Sequence, residues 1–323
     1  MPYNSLISRT DAAALIPEEA SREILKAVGE ESAAMRLGRR LQDMSRAQKR
    51  LPVMSALATA YFVTGDVGLK QTSEVNWENK YIDAEEIAAI VPIPESVLDD
   101  ADYDIWAEVQ PDLVEAFGAC IDGAVFHGTN IPATWTTNLG AAGLDAVCIA
   151  ATHNPSAAGY ADLYEAILGE DAAGNDGVLM LIEADGFMAS GHVAHMSMRG
   201  KLRNVRSTDG MPIFTRSMQD ANRYELDGES ILFPRNGSID AAQFWMLSGD
   251  FTQLVWAMRQ DITYKVLTEA VIQDATGSII YNLAQQDMVA LRAVMRCGFA
   301  LPNPINRMNQ VAATRCPFAI LTA

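Results

Sequence analysis

The side chains best suited to proton transfer or metal ligation near neutral pH are four histidines, His127, His153, His192 and His195. Only His192 and His195 have useful spacing. Three residues apart, they would share one face of a helix, but no acid or cysteine lies on the same turn to complete a cation's shell. Gly191-His192-Val193-Ala194-His195 therefore reads as a helix surface. Cys120, Cys148, Cys297 and Cys316 are far apart and form no C-x-x-C pair, which argues against a zinc site or disulfide framework and for buried free thiols. Asp171, Asn175 and Asp176 sit in a Gly-rich loop without the ligand spacing of an EF-hand, and read as an acidic turn. Glu85-Glu86 and Asp99-Asp100 are adjacent pairs, so their carboxylates diverge where a general acid and base must converge. No phosphate loop, dinucleotide fingerprint, nucleophile elbow or zinc-protease helix is present. The expectation is a chain with no catalytic residue, no cofactor and no metal.

The elements point the same way. Residues 1–16 are polar and without period, an extended arm. Pro17, Glu18 and Glu19 open a short helix through Ile24, Leu25, Val28 and Met35, ending near Gly38. Leu57 to Val63 favours a strand through Tyr61, Phe62 and Val63. A Gly-containing polar tip, Thr64 to Ser73, and a second extended run, Val75 to Ile82, complete a long hairpin. Its outer part has little apolar surface to bury, and such a hairpin is marginal in water unless it rests on something else. Ile87 to Ile93 suggests a strand. Ser96 with Asp99, Asp100 and Asp102 leads into a helix in which Ile105, Val109, Leu113, Phe117 and Ile121 recur every four residues. It ends at Gly128, and Pro111 either kinks it or starts a second segment.

Beyond it, Thr129 to Pro155 reads as irregular, Leu163 to Leu168 as helical, and Val178 to Ile182 as a short apolar run. Phe187 to Leu202 suggests a helix interrupted by Gly191 and Gly200, and Asp209-Gly210 a turn. Phe251 to Val271 holds β-favouring runs. Asn282 to Arg296 reads as a helix with Leu283, Met288, Leu291 and Met295 on its apolar side, and Phe318 to Leu321 as a closing strand. The class is mixed α+β.

With 323 residues, 49% hydrophobic and 20% charged, the chain can bury a substantial core. It carries neither a membrane-spanning stretch nor a secretory leader. The net charge of −17 is uneven. Tyr81 to Met198 contains twenty Asp and Glu and no Lys or Arg, whereas the other 205 residues hold all 24 basic side chains and 21 acids. Gripping phosphates takes clustered Lys and Arg, so only weak, non-specific DNA contact is expected. Arg199, Lys201, Arg203 and Arg206 form a basic cluster that either faces solvent or meets the acidic span of another copy.

The order of arm, short helix, long hairpin, strand, long helix, mixed unit and late strands resembles the tailed-bacteriophage major capsid family, the Hong Kong 97-like fold. Pro52-Val53 through Tyr61-Phe62-Val63 looks like the first strand of that family's E-loop, and Gly68-Leu69-Lys70-Gln71-Thr72-Ser73 like its tip. Ile87 to Ala101 resembles the strand and acidic turn before the spine helix, and His127-Gly128-Thr129 the exit from it. Gly249-Asp250-Phe251 and Arg259 to Val266 look like the return into the peripheral domain, and Leu291 to Gly298 with Pro302 like the late axial helix. The likeness is weakest over 130–245.

The resemblance implies an N-arm with a short helix over 1–44 and an E-loop over 45–82. A peripheral domain would take 83–140 and 246–275, and an axial domain 141–245 and 276–323. It implies pentamers and hexamers closing into an icosahedral head around double-stranded DNA, built in the bacterial cytoplasm and carried in the virion. Portal, decoration and separate scaffolding proteins are its expected partners. Tyr61, Phe62, Lys70 and Trp77 are the expected inter-subunit contacts of the E-loop. Some relatives fuse subunits through a Lys–Asn isopeptide bond. Lys70 stands at the lysine's place, but Phe244 to Ala270 supplies no asparagine, so assembly without covalent links is expected. The rivals are an encapsulin-type compartment and a soluble enzyme with an unfamiliar site.

Overall fold

A computed structural model describes residues 32–63, 68–100, 105–170, 173–206, 225–274 and 276–323. α1 (Ala33–Leu37) and β1 (Arg39–Arg40) lead into a hairpin of β2 (Gln48–Ala56) and β3 (Asn76–Asp83). β4 (Glu85–Pro94), α2 (Glu95–Asp100) and the 23-residue α3 (Ile105–His127) follow. The middle holds α4 (Thr136–Leu139), α5 (Gly143–Ala150), α6 (Leu163–Leu168), α7 (Val178–Ala184), β5 (Gly191–Ala194) and α8 (Met196–Asn204). Next come β6 (Glu225–Leu226), β7 (Glu229–Leu232), β8 (Met246–Gly249) and β9 (Val255–Leu267). A ribbon of β10 (Val271–Gln273) and β11 (Ile279–Asn282), one turn α9 (Leu283–Gln286), β12 (Met288–Ala300) and β13 (Phe318–Leu321) complete the chain.

One sheet runs β1-β9-β12-β4. In its central strand β12, Val289, Leu291, Ala293, Met295, Cys297 and Phe299 are buried and Arg292 is exposed, because successive side chains leave a strand on opposite faces. α3 lies on that sheet. Trp106, Val109, Leu113 and Phe117, spaced by three and four, pack against Ile87, Ala89, Val91, Ile262, Leu291 and Ala293. Removing Leu113 and Phe117 from water contributes about 2 kcal/mol each.

The second sheet runs β13-β8-β5-β7-β6. Val193, Leu247, Phe318 and Ile320 face a core shared with Ile121, Val125 and Phe126 of α3. The alternate residues Ala194, Met246, Ala319 and Leu321 face Ile167, Ile182, Met198 and Leu202 of α6, α7 and α8. Covered on both sides, β5, β8 and β13 have no exposed residue. α3 thus touches both cores and ties the two sheets together. At its end Gly128 takes φ +64, and a Cβ there would lie 2.3 Å from the Ala142 carbonyl carbon, so only glycine fits the turn toward α5.

Several sequence expectations are corrected. Asn282 to Arg296 is not a helix: after the single turn α9 it is β12, the middle of the first sheet. A spacing of four is also a multiple of two, so Leu291 and Met295 satisfy a strand equally well. Gly191 to His195 is not a helix surface but a buried strand running into the cap of α8. Leu57 to Val63 lies beyond the ladder, which stops at Ala56 opposite Asn76. Thr129 to Pro155 contains α4 and α5. Most of the early helix, part of the hairpin tip, Asp102, Asp171 and the Asp209-Gly210 turn lie outside the described residues.

Candidate assembly surface

Among the described residues the hairpin is anchored chiefly at its foot. Ile82 is fully buried with Met44, Val255, Ala257 and Ala300, and Leu51 packs beside it. Asn138 Nδ2 donates to the Tyr81 carbonyl at 2.8 Å and Trp135 Nε1 to that of Asp83 at 2.8 Å. A Cβ on Gly298 of β12 would lie 2.5 Å from the Asp83 carbonyl oxygen, so hairpin and sheet meet backbone to backbone. Further out the only described support is a loop before β13. Its Arg307 donates to the Ala58 carbonyl at 2.9 Å. Buried Arg315 stiffens the loop, donating to Asn303 Oδ1 at 3.1 Å and to the Asn303 carbonyl at 3.0 Å.

Beyond Ala56 side chains replace the ladder. The Thr59 amide donates to Ser73 Oγ at 2.7 Å, and Tyr61 Oη donates to the Gln71 carbonyl at 2.9 Å. Tyr61 is thereby tied across the hairpin, while Phe62 next to it is fully solvent-exposed and Leu69 is 90% exposed. Lys70 is exposed and makes no ion pair among the described residues. Trp77 pairs with Met54 across the ladder and is 68% exposed, and Tyr81 follows on the same face. Tyr61, Phe62, Lys70 and Trp77 are therefore brought onto one projection but not into one cluster. A Phe, a Leu and a Trp left in water each forgo about 2 kcal/mol that burial would supply, and such a concentration marks a contact surface.

A second surface escaped the sequence reading. The β10–β11 ribbon exposes Val271, Ile279, Ile280 and Tyr281, and β9 adds Tyr264 and Val266 beside it. The signal was present in Ile279-Ile280-Tyr281 after the Asp274-to-Ser278 turn. There the Thr276 hydroxyl and the Ser278 and Thr276 amides bond to the Asp274 carboxylate and hold it below the usual range.

The polar groups inside are engaged in structure. Asp122 of α3 is buried and accepts from Ser32 Oγ at 2.6 Å, the Ala33 and Ala34 amides at 2.9 Å each, and Asn236 Nδ2 at 2.9 Å. Burial nevertheless pushes its carboxyl above the usual value. His192 Nε2 donates to the Leu226 carbonyl at 3.3 Å and Nδ1 accepts from Ser248 Oγ at 2.8 Å, so the ring is neutral, and burial holds its pKa down to about 4. His127 Nε2 accepts from the Asp240 amide at 3.1 Å, which leaves Nδ1 to donate to Asp145 at 3.2 Å. His153 lies 3.4 Å from Asp185, and His195 caps α8 through the Ser197 amide. Cys148 and Cys316 are buried together, Cys297 is pushed up to about 12 by burial, and Cys120 is exposed. Among the described residues no group of three or more His, Cys, Asp or Glu could hold a metal.

The chain as a whole is similar to known proteins. The model of the phage capsid family matches residues 12–306. The major capsid protein of Staphylococcus phage 80alpha is 25% identical over 284 residues, 86% of this chain and 78% of that one. A solved chain from Microbacterium phage Oxtober96 is 34% identical with a TM-score of 0.79, covering 98% of this chain and 99% of that one. One from Mycobacterium phage Cain is 28% identical with a TM-score of 0.78, covering 98% of both.

Proposed function

The chain belongs to the phage capsid family, and from that premise we propose how its surfaces build the shell. As a major capsid protein it forms the virion's head by association with copies of itself. Copies join as pentamers and hexamers, and these close into an icosahedral container for double-stranded DNA. The observation that carries this reading is the hairpin. It has a buried foot and an outer half on which Phe62, Leu69 and Trp77 stay exposed among the described residues, so these three are sheltered when laid on a neighbour. Tyr61 stiffens the hairpin and Lys70 contributes a polar contact at its tip. The β10–β11 ribbon makes a second contact of the same kind. The chain's role is structural, and DNA is held by enclosure, as an acidic chain grips phosphate poorly.

We divide the subunit into an arm, the hairpin, a peripheral domain around α3 and the first sheet, and an axial domain around the second. The pairing of β12 with β4 and β9 favours grouping Met288–Ala300 with the peripheral domain. Scaffolding, portal and decoration proteins are the further partners, and assembly takes place in the host cytoplasm. Electron microscopy of the purified protein, alone and with a scaffold, tests the reading. Closed shells or capsomers are expected; a monomer at high concentration under both conditions overturns it.

A further inference from the structure

α8 is a nine-residue helix that buries Met198 and Leu202 and ends in the basic residues Lys201 and Arg203. Ser197, Gly200, Lys201, Arg203 and Asn204 form a shallow, solvent-open surface along it. Lys201 is steadied by the Trp245 ring, 3.2 Å from Nζ to centroid, and neither Lys201 nor Arg203 makes an ion pair among the described residues. Gly200 is the telling residue. Glycine inside a helix costs about 1 kcal/mol against alanine. Yet a Cβ here would meet nothing within 4 Å, and the backbone does not adopt the left-handed conformation that favours glycine. Neither packing nor backbone geometry asks for it, whereas a surface approaching from outside does.

The charge of that surface follows from the chain. Residues 141–198 carry eight carboxylates and no Lys or Arg. Exposed Glu183 ends α7, and Glu170 bridges to Asp176 just before that helix begins. α7 packs on β13 and β8 at one margin of the second sheet. α8 lies on the same face of that sheet, with Leu202 in the core that holds Leu226 of β6 and Lys201 on Trp245, whose amide donates to the Leu321 carbonyl of β13. Among the described residues, Lys201 and Arg203 of α8 do not pair with the exposed Glu183 of α7 within the subunit, so each is open to an oppositely charged face of another copy.

We propose that the Gly200–Arg203 face of α8 seats against the acidic α7 margin of a second copy, with Arg203 meeting Glu183. The inference rests on the shell reading and adds to it a named contact within the ring. Full-length Arg203→Glu and Glu183→Arg are each expected to lower particle yield, read by sedimentation and microscopy, about tenfold. The double variant Arg203→Glu/Glu183→Arg is expected to recover it, with unchanged circular dichroism throughout. Gly200→Leu favours the helix but adds bulk to that surface. It is expected to melt no lower than the parent and still to assemble poorly. Normal assembly of all three single variants overturns this contact while leaving the shell reading intact. Failure of the parent protein to form particles overturns both. Shells of Arg203→Glu formed in normal yield but poor in DNA would assign the face to nucleic acid and overturn the proposal.

Discussion

At the scale of single residues, stability depends on buried polar groups held in one protonation state. Asp122 gathers four donors from the α1 segment and the Asn236 loop onto α3. Asp122→Ala strands all four, and chemical denaturation of the unassembled subunit should show a loss of about 3 kcal/mol. His192 makes a pH prediction. Its folded value of about 4 lies below the ordinary 6.5, so protonation favours the unfolded chain. The contribution is complete above pH 6.5 and is lost as pH falls toward 4, amounting to about 3 kcal/mol over that window. Asp122 works in the opposite sense. With its folded value raised, it favours the folded state in acid and loses that contribution as pH climbs from 3.8 through the raised value. Melting temperatures of the parent and His192→Gln, compared from pH 7 to 4, separate the two: the variant should show the shallower decline. None of these partners was legible in the sequence. Ser32, Asp122 and Asn236 are distant in the chain, and only the fold makes them neighbours.

Elements were more legible, wherever one periodicity stood alone. α3 was visible because its apolar residues recur at helical spacing over many turns. β12 was misread because Leu291 and Met295 fit both periods, and the decisive exposure of Arg292 requires knowing the sheet. β5 was missed because a strand buried on both faces loses its alternation. The hairpin was legible as two extended runs about a polar tip, though its ladder ends sooner than Tyr61, Phe62 and Val63 suggested. Trp77→Ala tests that element. Since the side chain is mostly in solvent, the melting temperature of the unassembled subunit should stay within about 0.5 kcal/mol equivalent, while shell yield falls. A drop in melting temperature as large as that of a core variant would mean that Trp77 serves its own subunit.

On the scale of the whole molecule, two projections each carry several exposed apolar residues, and the charge separates into an acidic span and a basic helix. Composition revealed the second of these and not the first, because exposure is a property of the fold. Phe244 to Ala270, where the family resemblance would put a cross-linking asparagine, contains none, which predicts assembly without covalent links. Mature particles boiled in denaturant should therefore run as single chains, and Lys70→Arg should leave the pattern unchanged. A ladder of multiples in the parent that vanishes in the variant would show a bond at Lys70.

The close seating of Gly298 on Asp83 has a mechanical corollary. With no side chain between them to yield, a pull that reaches the foot of the hairpin passes directly into the middle strand of the first sheet, on which α3 lies. If neighbours load the hairpin in the assembled head as proposed, its foot is expected to act as a stiff joint rather than a supple one.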